Sequence, residues 1–373
     1  MPATSSTNWA EIDLTALRQN VGILRQQASP AELAAVVKAD AYGHGAIPIA
    51  RAAIEAGASR LCVFTVNEAV ELRQAGIDAD IICLGPVLEA DPPSIASFDI
   101  AAVADSKETA ARLSDAAQDA DADIRVHLNL DAGMHRYGRP PDDAKALAEA
   151  VHSRQRLTLE AVFTHFPNAG SPERTETLDA FRRFQKAADR IAAPLRHAAA
   201  SAATFNHPET ALDFVRAGIA LYGMDPAPEL DHPMAGRLRP VLSWRSRLLS
   251  VRRVRRGESV SYGGLWTAEH DSRIGVIGSG YADGLRRALS PGGELLVAGQ
   301  RAPIRGAICM DTTMIDLTDI PQANVGDIVT IIGHDGQDSI SAWDLARRLG
   351  TIPYEIFTSI AARVPRIVLD PHV

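Results

Sequence analysis

Cysteine is scarce in this 373-residue chain: only Cys62, Cys83 and Cys309 are present, each within an apolar run. An odd number of thiols with no metal-ligand spacing argues against a disulfide framework and a cysteine-built metal site. It predicts reduced, buried thiols in a cytoplasmic protein. Long apolar runs are missing too. None approaches the ~20 residues of a membrane-crossing helix, and the start Met-Pro-Ala-Thr-Ser-Ser-Thr-Asn-Trp has no charged-then-apolar leader. Positive charge is in deficit, with 38 Lys+Arg against 46 Asp+Glu and a net charge of −8, which argues against nucleic acid as the main partner. The one basic run, residues 245–256, is interleaved with Leu248, Leu249, Val251 and Val254 and reads as the solvated face of a strand. Internal repeats and low-complexity tracts are absent.

What is present is a soluble-protein composition, 46% hydrophobic and 23% charged, long enough for two or three domains. Strand-like runs at 33–37, 61–65, 81–84, 100–103, 124–130, 159–164, 195–199 and 212–216 alternate with amphipathic stretches at 47–56, 66–75, 107–117, 142–152 and 177–192. The third connection, through Pro92 and Pro93, is the least regular. Eight strands with intervening helices fit a (β/α)8 barrel best. An open doubly wound sheet is the alternative, but no glycine-rich phosphate turn follows the first strand. After Pro226 the pattern changes. Four prolines within 226–240 mark a boundary, and short alternating runs then predict a mostly β second domain with one helix near 341–349 and a closing strand.

Barrel enzymes gather their chemistry at the carboxyl ends of the strands. Lys38, Asn129, Asp131, Arg136, His165, Ser201 and Arg216 all fall at or just beyond such ends. Lys38 closes the apolar run 33–37 and precedes a loop with Tyr42 and two glycines. A lysine there is either solvated or carried into a mouth where desolvation lowers its pKa and favours Schiff-base chemistry.

The stretch Ala35-Val-Val-Lys-Ala-Asp-Ala-Tyr-Gly-His-Gly45 resembles the pyridoxal-phosphate attachment motif of alanine racemases. The resemblance runs on through Glu11-Ile-Asp-Leu-Thr-Ala-Leu-Arg18, Asp131-Ala-Gly-Met-His-Arg136, Phe163-Thr-His-Phe166 and Val215-Arg-Ala-Gly-Ile-Ala-Leu-Tyr-Gly223. It continues in Val260-Ser-Tyr-Gly263, Gly280-Tyr-Ala-Asp-Gly284, Gly306-Ala-Ile-Cys-Met-Asp311, Pro353-Tyr-Glu355 and Arg363-Val-Pro-Arg366. It implies a barrel over residues 1–235, whose N-terminal segment packs on the C-terminal domain, and a β domain over 236–373 that contributes to a partner's active site. The implied activity is interconversion of L-alanine and D-alanine, to supply D-alanine for peptidoglycan or to consume it. Lys38 would hold pyridoxal 5'-phosphate and act as the base on one face of the substrate, with Tyr262 of a partner subunit as the base on the other. A tyrosine ordinarily titrates near ~10, so cations such as His165 and Arg216 would have to favour its phenolate.

By the same resemblance, Arg216 would meet the cofactor's ring nitrogen, supported by His165. Tyr42, Ser201, Tyr354 and the backbone of Gly218 and Ile219 would hold the phosphate. Arg136 and the Met310 backbone would take the substrate carboxylate, Tyr281 would narrow the entrance, and Asp311 would orient its loop. Many members of the family carry a carbamylated lysine where this chain has Asn129, so either chloride or the amide itself would stand beside Arg136. Otherwise Asn129 merely ends its strand. A broad-specificity racemase is the nearest alternative, followed by a related decarboxylase and a non-catalytic carrier of the cofactor. Shared sites imply a homodimer.

Overall fold

Strands covered on both faces read as unbroken apolar runs, because neither side meets water. The computed structural model describes residues 6–232 and 234–370. Eight such runs lie parallel in the order Leu195–His197, Leu157–Phe163, Ile124–Asn129, Ala101–Val103, Asp80–Pro86, Arg60–Val63, Glu32–Val36 and Phe214–Ala217. The two ends of this sheet meet. The Asp213 and Arg216 N–H groups donate to the Arg196 and Ala199 carbonyls at 3.1 and 2.9 Å, and Ala200 bridges to Arg216. The result is the expected barrel, nearly closed.

Helices Ala46–Glu55, Val66–Gln74, Lys107–Asp119, Ala144–His152 and Thr175–Ala188 lie where the periodicity places them. The irregular third connection holds a short helix, Pro92–Ser97, whose two opening prolines have the fixed φ suited to a first turn. A further helix, Leu14–Ala28, precedes the barrel and buries Leu17, Val21, Leu24 and Ala28 at helical spacing.

The chain divides into two compact units, Ala16–Ala41 with Gly45–Arg239, and Met1–Thr15 with Tyr42–His44 and Pro240–Val373. The second is built on a nine-stranded sheet. Its spine is Leu242–Val254, which pairs antiparallel with Asn8–Asp13, Ser272–Ile277 and Ile328–Asp335. Asn8–Asp13, not recognised as a strand from sequence, also pairs in parallel with Arg366–Leu369. The basic run is thus a strand, but Arg245 is half-buried and paired rather than fully solvated. Its guanidinium donates to Glu11 Oε2 at 3.2 Å and to the His334 carbonyl at 2.9 Å.

Cys62 and Cys83 are buried and their thiols are pushed up to about 12 by desolvation. Cys309 differs from expectation: it is half-buried and lies in a loop. Pro233 of the expected boundary and residues 1–5 of the chain start lie outside the described residues. Among the described residues no helix is long and apolar enough to cross a membrane.

Candidate active site

Strand Glu32–Val36 delivers Lys38 to the carboxyl end of the barrel, between Arg60–Val63 and Phe214–Ala217. The backbone then turns abruptly. Ala39, Asp40, Ala41 and Tyr42 all have φ between +51 and +55, forming a left-handed turn that ends on Gly43 at +77. Each non-glycine residue held there costs about 1–2 kcal/mol, so other contacts must impose it. Glu68 is one. As the third residue of a capped helix, it accepts from the Phe64 and Thr65 N–H groups at 2.8 and 2.9 Å, and its other oxygen accepts from the Ala39 N–H at 2.6 Å. Asp40 in turn accepts from the Ala46 N–H at 2.7 Å and ties the turn to the next helix.

Burial, then the positive charge of Arg136, lowers the Lys38 pKa, with Arg216 adding to the effect and Glu68 opposing it. A lowered amine pKa means more free base at a given pH, which a nucleophile or proton acceptor needs.

Arg216 is 3% exposed. It donates from Nη1 to His197 Nδ1 at 2.5 Å, and from Nη2 to the Thr164 and Ala198 carbonyls at 2.8 and 3.0 Å. The expected contact with His165 is present but long, 3.4 Å from Nη2 to Nδ1. Among the described residues no carboxylate pairs with Arg216, and its Nε–H has no hydrogen-bond partner. A buried cation left so is a poor structural element and a good anchor for a ligand. Burial still lowers its pKa to about 10, so it remains a cation at neutral pH.

His165 departs from expectation. Burial and the Arg216 charge push its pKa down to about 3, so it is neutral and cannot supply a cation to any phenolate. The same effect carries a prediction. Below the ordinary histidine value of about 6.5 the unfolded chain gains a proton that folded His165 refuses, so stability present above that pH is lost as pH falls, at about 1.4 kcal/mol per pH unit. His127 and His197, buried in the barrel, shift in the same direction. The thermal midpoint should therefore drop steeply below about pH 6, and His165→Asn should reduce the slope; a midpoint indifferent to pH down to about 4.5 would contradict this.

Arg136 lies exposed on the loop after Ile124–Asn129 and makes no ion pair among the described residues. The loop is shaped by Asp131 Oδ1, which accepts from the Gly133 and His135 N–H groups, both at 3.0 Å. Asn129 is the last residue of its strand. Its side chain fills the space where a Cβ on Gly138 would stand, 2.9 Å from Cγ, so only glycine fits there. No hydrogen bond joins Asn129 to Arg136 among the described residues. Both line a recess of about 10 Å³ with Thr164 and His165, room for one water-sized particle.

Ser201 does not cap its own helix. Its Oγ accepts from the Gly218 and Ala220 N–H groups at 2.9 and 3.3 Å. The intervening Ile219 is 1% exposed, and its N–H has no partner among the described residues. Buried N–H groups are nearly always satisfied, so this turn is suited to receive an anion.

The remaining candidates lie in the β unit. The rings of Tyr42 and Tyr354 are 5.8 Å apart, and burial pushes the Tyr354 phenol up to about 12. Tyr262, Met310 and Tyr281 are 74%, 53% and 44% exposed. Their loops are laced together. Tyr281 N–H donates to the Cys309 carbonyl and Ala282 N–H to the Met310 carbonyl, at 2.9 and 3.0 Å. Gly280 is required by this approach, since a Cβ there would come within 2.3 Å of the Met310 carbonyl. Ser261, at φ +68, is held by its Oγ donating to the Ala307 carbonyl at 2.7 Å. Arg363 joins Asp311 and Asp283, each at 2.7 Å, and Asp283 accepts from the Gly280 N–H. The Met310 N–H has no partner among the described residues. Glu68 escaped the sequence reading, although the Thr65–Glu68 capping pair left a local signal; Ser261 and Arg363 fall within quoted motifs but were given no role there.

Residues 12–226 match the family model described as alanine racemase, N-terminal domain, and residues 241–368 the one described as alanine racemase, C-terminal domain. An alanine racemase of Halothermothrix orenii is 40% identical over 364 residues, 96% of this chain and 96% of that one. The crystal structure of alanine racemase from Bacillus anthracis with bound L-Ala-P superposes with a TM-score of 0.92 at 35% identity, covering 99% of this chain and 97% of the other. A histidine racemase from Leuconostoc mesenteroides subsp. sake also superposes, with a TM-score of 0.90 at 28% identity and 99% coverage of each chain.

Proposed function

Because this chain belongs to the alanine racemase family, we propose that its barrel mouth holds pyridoxal 5'-phosphate and that the Cα proton of alanine is exchanged between Lys38 and Tyr262 of a second copy. The observation that carries the cofactor reading is the charge of the mouth. Lys38, Arg136 and Arg216 act on one another as cations, and Glu68, the carboxylate acting on Lys38, already accepts three N–H groups. Such a mouth suits a phosphate dianion together with a carboxylate. The unpartnered Ile219 N–H and the Ser201–Gly218 turn suit the phosphate, with Tyr42 and Tyr354 as further donors. When bound, the cofactor withdraws electrons from the substrate and makes the Cα proton removable.

The chain's own residues do the rest. Lys38, whose lowered pKa leaves its amine available, would hold the cofactor covalently and move the proton on one face. Arg216, whose Nε–H is uncommitted, would hold the ring nitrogen of the cofactor. A guanidinium almost never gives up its proton, so Arg216 would leave the ring a weaker electron sink than a carboxylic acid partner would. Arg136 and the Met310 N–H hold the substrate carboxylate, and Tyr281 narrows the approach. Asp311, through Arg363, keeps the Met310 loop in place. Tyr262 is carried outward on the β unit, which fits delivery to a second copy in a homodimer.

A chloride ion in the recess beside Asn129 would supply the negative charge that steadies Arg136. Replacing chloride by gluconate should then raise KM for alanine about tenfold with kcat little changed; an unchanged KM would remove chloride from the account. Purified protein should show the visible band of the bound cofactor and, with L-alanine in D2O, form D-alanine with deuterium at Cα. The histidine racemase likeness makes the substrate an explicit part of that test. Alanine is expected to be turned over at least about a hundredfold better than histidine, because a pocket built for a methyl group excludes a ring. Preference for histidine would overturn the substrate assignment.

A further inference from the structure

Strand Leu157–Phe163 carries a register shift against Ile124–Asn129. Val126 faces Leu159, but His127 faces Ala161, leaving Glu160 as the extra residue of a β-bulge. A bulge re-aims a side chain, and here it aims the carboxylate at His127, with Glu160 Oε2 2.7 Å from His127 Nε2. From there a chain of contacts leads inward. His127 Nδ1 lies 3.2 Å from His197 Nε2, and His197 Nδ1 receives the Arg216 guanidinium. His197 cannot tilt away, because its ring is stacked between Phe163 at 4.7 Å and Phe214 at 4.2 Å.

The protons in this chain have one arrangement. Arginine has no acceptor, so His197 Nδ1 must accept, and its proton is on Nε2. That proton is donated to His127 Nδ1, which places the His127 proton on Nε2, where the Glu160 carboxylate accepts it. Glu160 is itself steadied by Arg125, 3.7 Å away, which also pairs with Asp80 and Asp99. Both histidines are buried and shifted toward the neutral form, as the one-way order requires.

We propose that Glu160 and His127 are positioning residues for Arg216: the bulge-set carboxylate fixes the tautomers of both histidines, holds Nη1 away from the site so that Nε–H faces it, and offsets a guanidinium that has no carboxylate of its own. The proposal rests on Arg216 standing at the cofactor's ring nitrogen. Loss of the Glu160 charge makes the mouth more positive and weakens proton binding at the Lys38-linked cofactor.

Neutron diffraction from crystals of the deuterium-exchanged holoenzyme should place deuterons on Nε2 of His127 and His197 and none on Nδ1 of either. In solution, Glu160→Gln keeps the acceptor and removes the charge. It should lower the apparent pKa of the visible band by about one unit, a tenfold change, while Glu160→Asp should stay close to the parent. A deuteron on either Nδ1 overturns the proposal, and so does a Gln variant that titrates as the parent does. If Arg216→Gln likewise leaves the band unmoved, the placement of Arg216 at the ring nitrogen has failed, while the deuteron positions still report on the relay itself.

Discussion

Lys38→Ala is expected to lose the visible band of the bound cofactor and at least about a thousandfold of racemase activity, since covalent attachment and one of two proton transfers vanish together. The fold should survive. Lys38 is only half-buried, lies just beyond its strand, and makes no hydrogen bond or ion pair that holds the barrel together among the described residues. The left-handed turn after it is imposed by Glu68 and Asp40 acting on backbone and would persist. An unaltered thermal midpoint with no activity and no colour is therefore the expected outcome. A variant that keeps its colour would place the cofactor elsewhere.

Tyr262→Phe should cost between about a hundredfold and ten-thousandfold in turnover, the range for losing a positioned acid or base. The two enantiomers have equal free energy, so kcat/KM must fall equally in both directions and cannot reveal which face was lost. Exchange of the Cα hydrogen with D2O can. The enantiomer whose Cα–H faces Lys38 should still exchange, within about tenfold of the parent, while its mirror image should not. Equal loss from both would contradict two bases on two faces. With His165 neutral, Arg216 is the one residue of the expected pair left to favour a phenolate. That narrows the electrostatic explanation to a single cation.

Much of the barrel was legible because burial on both faces writes strands as continuous apolar runs, and the chemistry follows where those runs stop. Lys38 and Arg216 are visible that way. Other features escaped for physical reasons. Asn8–Asp13 takes its place beside Leu242–Val254, and no local pattern announces a partner so distant in the chain. The turn Ala39–Tyr42 contains no glycine, so nothing in its composition predicts four positive φ values. Glu160 in Leu157–Phe163 looks like an outward polar residue of an alternating strand; only the pairing register shows that a bulge turns it onto His127. The candidate residues of the β unit could be named only through family motifs, because their loops have no periodicity.

The claim on which the rest depends is that each site is built from two copies, and mixing inactive variants tests it most directly. Lys38→Ala and Tyr262→Phe dimers should each keep at most about a hundredth of the parent activity. After dissociation and random reassociation in equal amounts, half the dimers would be mixed, and in each of these one site would combine an intact Lys38 with an intact Tyr262 from its partner. About a quarter of the parent activity should return. If the mixture stays as inactive as its components, although mixed dimers have formed, Lys38 and Tyr262 do not meet across two copies and the shared-site account is wrong.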